Sequence, residues 1–147
     1  MSYPTIVILG AGGHALSVVD AIRSSRPSIE AFVLLDDNPR LWEKNIYGIP
    51  VLGPISKLPE LANQGVRRFL IGVGSDLKRR AELYTEARQL GLEAGAPVVH
   101  STAFISQSER LGLATVVLAQ AVVGPQATVG VNVIINTGAI IEHHVVV

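Results

Sequence analysis

Residues 99–146 read VHSTAF ISQSER LGLATV VLAQAV VGPQAT VGVNVI INTGAI IEHHVV, eight hexads without an insertion. The first position is Val99, Ile105, Leu111, Val117, Val123, Val129, Ile135 and Ile141, aliphatic throughout, and Val147 opens a ninth hexad. The fifth is Ala103, Glu109, Thr115, Ala121, Ala127, Val133, Ala139 and Val145, mostly small. One six-residue match carries no information, but this many in register predict a solenoid of hexapeptide turns. Each hexad supplies a short strand and a corner. Three hexads close a triangular coil, so Ile105, Val123 and Ile141 stack and the first position fills the interior. An ordinary sandwich of alternating strands would need turn signals every 8–12 residues, which a fixed period of six contradicts. Glu109 breaks the small-residue rule, so the first coil is expected to be irregular there.

The sixth positions, Phe104, Arg110, Val116, Val122, Thr128, Ile134, Ile140 and Val146, should sit mid-strand and face outward. Most are apolar. An exposed apolar stripe marks a protein interface, so the expectation is self-association, most simply a homotrimer of coils.

Upstream of the hexads the pattern changes. TIVILG (residues 5–10) is a β-branched apolar run, as expected of a buried parallel strand. After it, Ala15, Leu16, Val18, Val19 and Ile22 give a helical apolar face. IEAFVLLDD (29–37) reads as a second strand, ISKLPELANQG (55–65) as a short helix and VRRFLIGVG (66–74) as a third strand. SDLKRRAELYTEARQLG (75–91) reads as a helix capped by Ser75 or Asp76 and ended by Gly91. Alternating strands and helices predict a parallel sheet. After Pro97 the only Lys, Arg, Asp or Glu residues are Glu109, Arg110 and Glu142. That shift places a boundary near Gly95–Pro97, giving an α/β Rossmann-like domain over 1–96 and coils over 97–147.

The turn Gly10-Ala11-Gly12-Gly13-His14-Ala15 matches G-x-G-x-x-A. Glycines there admit a ligand close to the backbone, and the helix N-terminus offers N–H groups to a phosphate. Asp36 ends the next strand, where a carboxylate could bind a ribose hydroxyl. The plainer alternative is a tight strand-to-helix turn with no ligand. The region has room for about one mononucleotide-binding half, which argues against NAD.

Composition narrows the classes. The 147-residue chain has no net charge and no cysteine. Balanced charge offers no broad field to nucleic acid or an anionic membrane, and thiol nucleophiles, disulfides and Cys-type zinc sites are excluded. No apolar run reaches the roughly 20 residues of a membrane span, and the start lacks the basic stretch of a signal peptide. The expectation is a cytoplasmic, soluble protein.

The motifs ILGAGGHA (8–15), LLDDNP (34–39), YGIPVLG (47–53), IGVG (71–74) and NTGAIIEH (136–143) together resemble the bacterial sugar acyltransferases of the left-handed β-helix class. Nearest are the nucleotide-linked 4-amino-sugar N-acetyltransferases of the bacillosamine and perosamine type and the sialic acid O-acetyltransferases. The resemblance implies an α/β Rossmann-like domain followed by a left-handed parallel β-helix. It implies acetyl-CoA as donor, and a UDP-linked amino sugar held by the glycine turn and the strand-end acidic pair: Gly10, Gly12, Gly13, His14, Asp36, Asp37 and Gly74. It assigns the catalytic base to His143. An acidic residue usually follows that base in the family; His144 stands there in this sequence. Relatives continue for further coils that hold acetyl-CoA between subunits, so the expectation is a C-terminally truncated chain. The alternative function is a nucleotide-sugar-binding module without turnover. The sequence leaves open whether the acceptor is an amine or a hydroxyl.

His143 and His144 occupy the third and fourth positions of their hexad, the corner, where side chains point outward. Acyl transfer needs a base that takes a proton as the nucleophile attacks the thioester, and histidine titrates near working pH. A metal site is not expected, because adjacent corner side chains diverge and no third ligand is evident. His14, in the first helical turn, either lies near the sugar or is simply open to solvent.

Overall fold

The structure, a computed structural model, describes residues 4–25, 32–107 and 110–147. These fall into two compact units: residues 4–19 with 32–95, and residues 20–25 with 96–147.

The first unit is built on a parallel sheet. β1 (Ile6–Leu9) leads into α1 (Gly13–Ser25), and β2 (Phe32–Leu35) follows. A small antiparallel pair, β3 (Asn45–Ile46) and β4 (Ile49–Pro50), turns through Tyr47 (φ 48°) and Gly48 (φ 82°). Two successive positive φ values are the signature of a tight hairpin turn whose twist matches its strands. Then come α2 (Leu58–Gln64), β5 (Arg68–Ile71), α3 (Leu77–Gln89) and β6 (Glu93–Ala94). The sheet order is β2-β1-β5-β6, with Val7 level with Val33 and Phe69. Val7, Ile8, Leu9, Val33, Leu34, Phe69 and Ile71 are all buried, which is why these strands read as continuous apolar runs.

Residues 29–31 of the expected second strand lie outside the described residues. The expected helix over 55–65 divides into a 3-10 turn, Ile55–Lys57, and α2. Pro59 sits in the first turn of α2, where the missing N–H would have no helical partner. Asp76 caps α3 by accepting from Arg79 N–H at 2.9 Å. β6 was not expected from the sequence. It is two residues long, beside the boundary residue Gly95, and carries no apolar run of its own.

In the second unit the period of six becomes a stack of coils. Two-residue strands join the sixth position of one hexad to the first of the next. Val122 and Val123 pair with Phe104 and Ile105 on one side and with Ile140 and Ile141 on the other. Val116 and Val117 pair likewise with Val98–Val99 and Ile134–Ile135, and Thr128–Val129 with Arg110–Leu111. Val117, Val123, Val129 and Ile135 form the buried interior with Ala121 and Ala127. Of the other fifth positions, Ala103, Val133 and Ala139 pack against this interior. Glu109 lies outside the described residues.

The fourth position of every hexad from 111 onward has positive φ: Ala114 (57°), Gln120 (58°), Gln126 (59°), Asn132 (57°), Gly138 (70°) and His144 (62°). Each corner thus requires a left-handed residue, a conformation that costs a side-chain-bearing residue roughly 1–2 kcal/mol. The coil-to-coil bonds offset this: Asn132, Gly138 and His144 N–H donate to the carbonyls of Leu113, Ala119 and Pro125 in the coil below.

The outward stripe needs one correction. Phe104 and Ile140 are 62% and 64% exposed, and Val122 and Ile134 are half-buried, but Val116 is 0% exposed. Flanking strands alone leave Val122 half-buried. Val116, paired with the buried Val98, is itself fully buried and drops out of any surface stripe.

Thr115 supplies a stability test. It is fully buried; its Oγ1 donates to Gly130 O at 2.7 Å and accepts from Val133 N–H at 3.1 Å. Thr115→Val keeps the shape and leaves both backbone groups unpaired. The expected loss is about 1–3 kcal/mol, read as a lower urea midpoint with an unchanged slope. An unchanged midpoint would show that the coils do not depend on this bridge.

Candidate functional site

β1 runs into the glycine turn, and the five glycines around it divide by what confines them. Gly10 has φ 103°, and an added Cβ would stand 2.8 Å from Val73 Cγ2. A Cβ on Gly72 would meet Gly10 O at 2.2 Å, and one on Gly74 would meet His14 Cβ at 2.7 Å. These three are glycine because neighbouring chain leaves no room. Gly12 and Gly13 differ: a Cβ there meets nothing within 4 Å, and φ is not in the left-handed region. Among the described residues, no neighbouring atom requires glycine at either position. Their bare backbone opens at the N-terminus of α1, a helix long enough to offer an anion a full first turn of N–H groups.

The opening is a cavity of about 430 Å³ lined by Gly10, Gly12, Gly13, His14, Asp36 and Gly74, with Gly72, Val73 and Ser75. Six of the seven residues expected to bind substrate are therefore brought together. Asp37 is not among them. It lines a separate groove with Ile55 and Arg79, accepting from Ile55 N–H at 2.9 Å and standing 3.7 Å from an Arg79 guanidinium nitrogen. Asp36 also has a local task. Its Oδ2 accepts from Ala11 N–H and its Oδ1 from Asn38 N–H, both at 2.7 Å. The carboxylate pins the glycine turn to the end of β2, and a ribose hydroxyl would have to use its remaining lone pairs.

His14 is half-buried against Gly74, and its Nε2 is buried with no hydrogen-bond partner among the described residues. Burial, and secondarily the positive charge of Arg80, lower its pKa to about 4. Arg80 itself is only 3% exposed. It donates to the carbonyls of Ile71 and Val73 at the end of β5, and burial lowers its pKa to about 10. Sequence reasoning missed it. The available signal was its spacing: Arg80, Leu83 and Ala87 share the inner face of α3, where an arginine is out of pattern.

The depressed His14 pKa sets a pH dependence. Between about pH 6.5 and 4 the unfolded chain binds a proton that the folded chain refuses. Stability is therefore whole above 6.5 and falls as pH falls through that window. The melting temperature of the parent, minus that of His14→Gln, should decline from pH 6.5 to 4. A difference constant across that range would show that His14 does not titrate as its burial dictates.

In the second unit His143 and His144 form an exposed corner. Their Nδ1 atoms stand 3.0 Å apart, with rings nearly perpendicular at 87°. His144 occupies the left-handed position, and its N–H donates to Pro125 O at 3.2 Å. Gly124 lies under His143: an added Cβ there would reach His143 N at 2.9 Å. The signal for the left-handed role of position 144 was the fourth-position column itself, where Asn132 and Gly138 are residue types that favour positive φ. Among the described residues, no group of three or more His, Cys, Asp or Glu residues could hold a metal ion. No helix among them is long and apolar enough to cross a membrane.

Residues 5–87 match the family model of the PglD N-terminal domain. No curated protein matches the sequence. Among solved structures, the chain is similar to PerB from Caulobacter crescentus in complex with CoA and GDP-perosamine. Identity is 32% and the TM-score 0.84, over 97% of this chain and 64% of that one. A variant of the same perosamine N-acetyltransferase with one histidine changed to asparagine, also with CoA and GDP-perosamine, matches at 32% identity and TM-score 0.83, over 95% of this chain and 63% of that one. The acetyltransferase domain of PglB from Neisseria gonorrhoeae, in complex with acetyl coenzyme A, matches at 28% identity and TM-score 0.83, over 99% of this chain and 67% of that one. The chain thus spans about two thirds of the length of these relatives.

Proposed function

This chain belongs to the family of the PglD N-terminal domain, and on that footing we propose that it is an acetyl-CoA-dependent acyltransferase acting on a nucleotide-linked sugar. Its architecture is an α/β domain followed by a left-handed parallel β-helix of hexapeptide repeats. The observation that carries the reading is the bare backbone at Gly12 and Gly13, open for a ligand at the N-terminus of α1. A diphosphate suits that place. The similarity to a perosamine N-acetyltransferase with CoA and GDP-perosamine bound supports an amino sugar as acceptor.

In this reading Gly10, Gly12, Gly13, His14, Asp36 and Gly74 line the nucleotide-sugar site, and Asp37, in a separate groove, does not touch it. His143 is the general base. As the acceptor amine attacks the thioester carbonyl, the C–N bond forms and the amine proton passes to His143. The C–S bond then breaks, and the CoA sulfur leaves and takes up that proton as the thiol. The reading places the reaction in the cytoplasm, in a homotrimer assembled through the Phe104–Val122–Ile140 column, which light scattering on the purified chain tests.

Whether the nucleotide is UDP, as the sequence resemblance implies, or GDP, as in the Caulobacter relative, is decided by calorimetry with UDP-, GDP- and CMP-linked 4-amino sugars. Binding of one of them is expected; no binding of any contradicts the proposal. A second reading stands beside the first: nucleotide-sugar binding without turnover. Binding without thiol release from acetyl-CoA supports that second reading.

A further inference from the structure

We propose that Arg80 is a positioning residue for the nucleotide-sugar site: it pins the Val73 carbonyl from behind, so that the Gly74 N–H turns into the glycine cavity as a donor to the diphosphate. The inference rests on the reading of that cavity as the nucleotide-sugar site.

Arg80 stands where α3 should present an aliphatic residue, in line with the buried Leu83 and Ala87. It is 3% exposed, and burying a guanidinium is costly unless its N–H groups are bonded. Its Nη1 donates to the carbonyls of Ile71 and Val73, on either side of Gly72. Gly72, Val73 and Gly74 line the cavity, and Arg80 stands behind that lining. In a trans peptide the N–H points opposite to the C=O, and no peptide among the described residues is cis. The Val73–Gly74 peptide therefore turns its oxygen to Arg80 and its N–H away from it. That N–H donates to no group among the described residues. Gly72 N–H donates to Leu9 O and Asp76 caps α3, so the loop is held at both ends and Arg80 sets its middle. The charge of Arg80 is also felt in the cavity. Second to burial, it lowers the pKa of His14, and a place that disfavours a further cation favours an anion.

A chain carrying carbonyl-13C valine and 15N glycine reads the Gly74 amide directly. Its Val–Gly peptides are 73–74, 123–124 and 129–130. The N–H groups of Gly124 and Gly130 already donate to Ile141 O and Val147 O, so their signals are internal controls. Val73→Ile deletes the Gly74 signal and so assigns it. UDP and GDP are the probes. In the parent, one of them is expected to move the Gly74 proton downfield, as entry into a hydrogen bond does, and to leave the two coil signals in place. Arg80→Met keeps the apolar stem and removes the donor. It should abolish that shift and weaken nucleotide binding at least about tenfold, as the loss of one hydrogen bond to a charged group does. Arg80→Lys keeps a cationic donor on a shorter reach and should lie between the two in both readouts. A parent whose Gly74 signal stays in place under saturating nucleotide overturns the proposal. So does an Arg80→Met chain that melts lower yet binds and shifts as the parent does, the mark of a structural role alone. Should Arg80→Met not fold, Arg80→Lys decides: affinity and shift both equal to the parent's overturn the proposal. If neither nucleotide binds the parent, the reading of the cavity fails as well; if one binds and the Gly74 or Arg80 result is missing, this inference alone fails.

Discussion

His143→Ala is expected to reduce acetyl transfer by roughly 10²–10⁴-fold, the range of a lost general base, while nucleotide-sugar affinity stays within about twofold, well under the 1.4 kcal/mol of a tenfold change. The split between rate and binding follows from where the side chain is. It is exposed, and its recorded polar contact is the Nδ1 of His144. Truncation leaves no buried group unpaired, so stability should change by no more than about 0.5 kcal/mol. The backbone at 143, resting on Gly124, is untouched. The glycine cavity is built from other residues altogether. Thiol release from acetyl-CoA with a nucleotide-linked 4-amino sugar measures the rate, and calorimetry measures the affinity. His144→Ala should be the milder change, since a neighbouring imidazole orients the base without taking the proton itself. A harmless His143→Ala beside a crippling His144→Ala would move the base to His144.

The parts of this protein legible in its sequence are those whose cause is local and repeated. The hexads showed the coil because each first-position aliphatic faces the same interior, and the repeat multiplies a weak signal. The glycine turn was legible as a strand-to-helix turn because the glycines stand between an apolar run and a helical apolar face. What escaped was set by tertiary surroundings. Val116 and Val122 occupy the same hexad position, yet one is fully buried and the other half-exposed; no local pattern separates them. Arg80 looks like one more charge on a charged helix until β5 presents two carbonyls to its guanidinium. Asp36 and Asp37 are adjacent in sequence and part company in space, because successive side chains leaving a strand point to opposite sides. The five glycines look equivalent in sequence, and the space around each separates the confined from the open.

That separation predicts opposite outcomes for two small substitutions. Gly72→Ala places its methyl 2.2 Å from Gly10 O, a backbone atom of the adjoining turn. The turn must shift, and a loss of about 1–3 kcal/mol or more in stability is expected. Gly12→Val should spare the fold, because its Cβ meets nothing within 4 Å and its φ suits any residue. Its cost is that of a poor residue ahead of α1, about 1 kcal/mol. The isopropyl group must then project into the space that a ligand would use, and it shields the first N–H groups of the helix. Nucleotide-sugar binding should weaken by at least about 100-fold, some 2.7 kcal/mol, in a chain whose melting temperature falls by only a few degrees. Gly12→Ala, with one methyl, should lie between. The deciding measurement is calorimetry alongside thermal melting for all three variants. If Gly12→Val binds as the parent does, the open glycines serve only to make a tight turn, and the nucleotide sits elsewhere. If it unfolds the protein instead, Gly12 is confined by something the local geometry does not show.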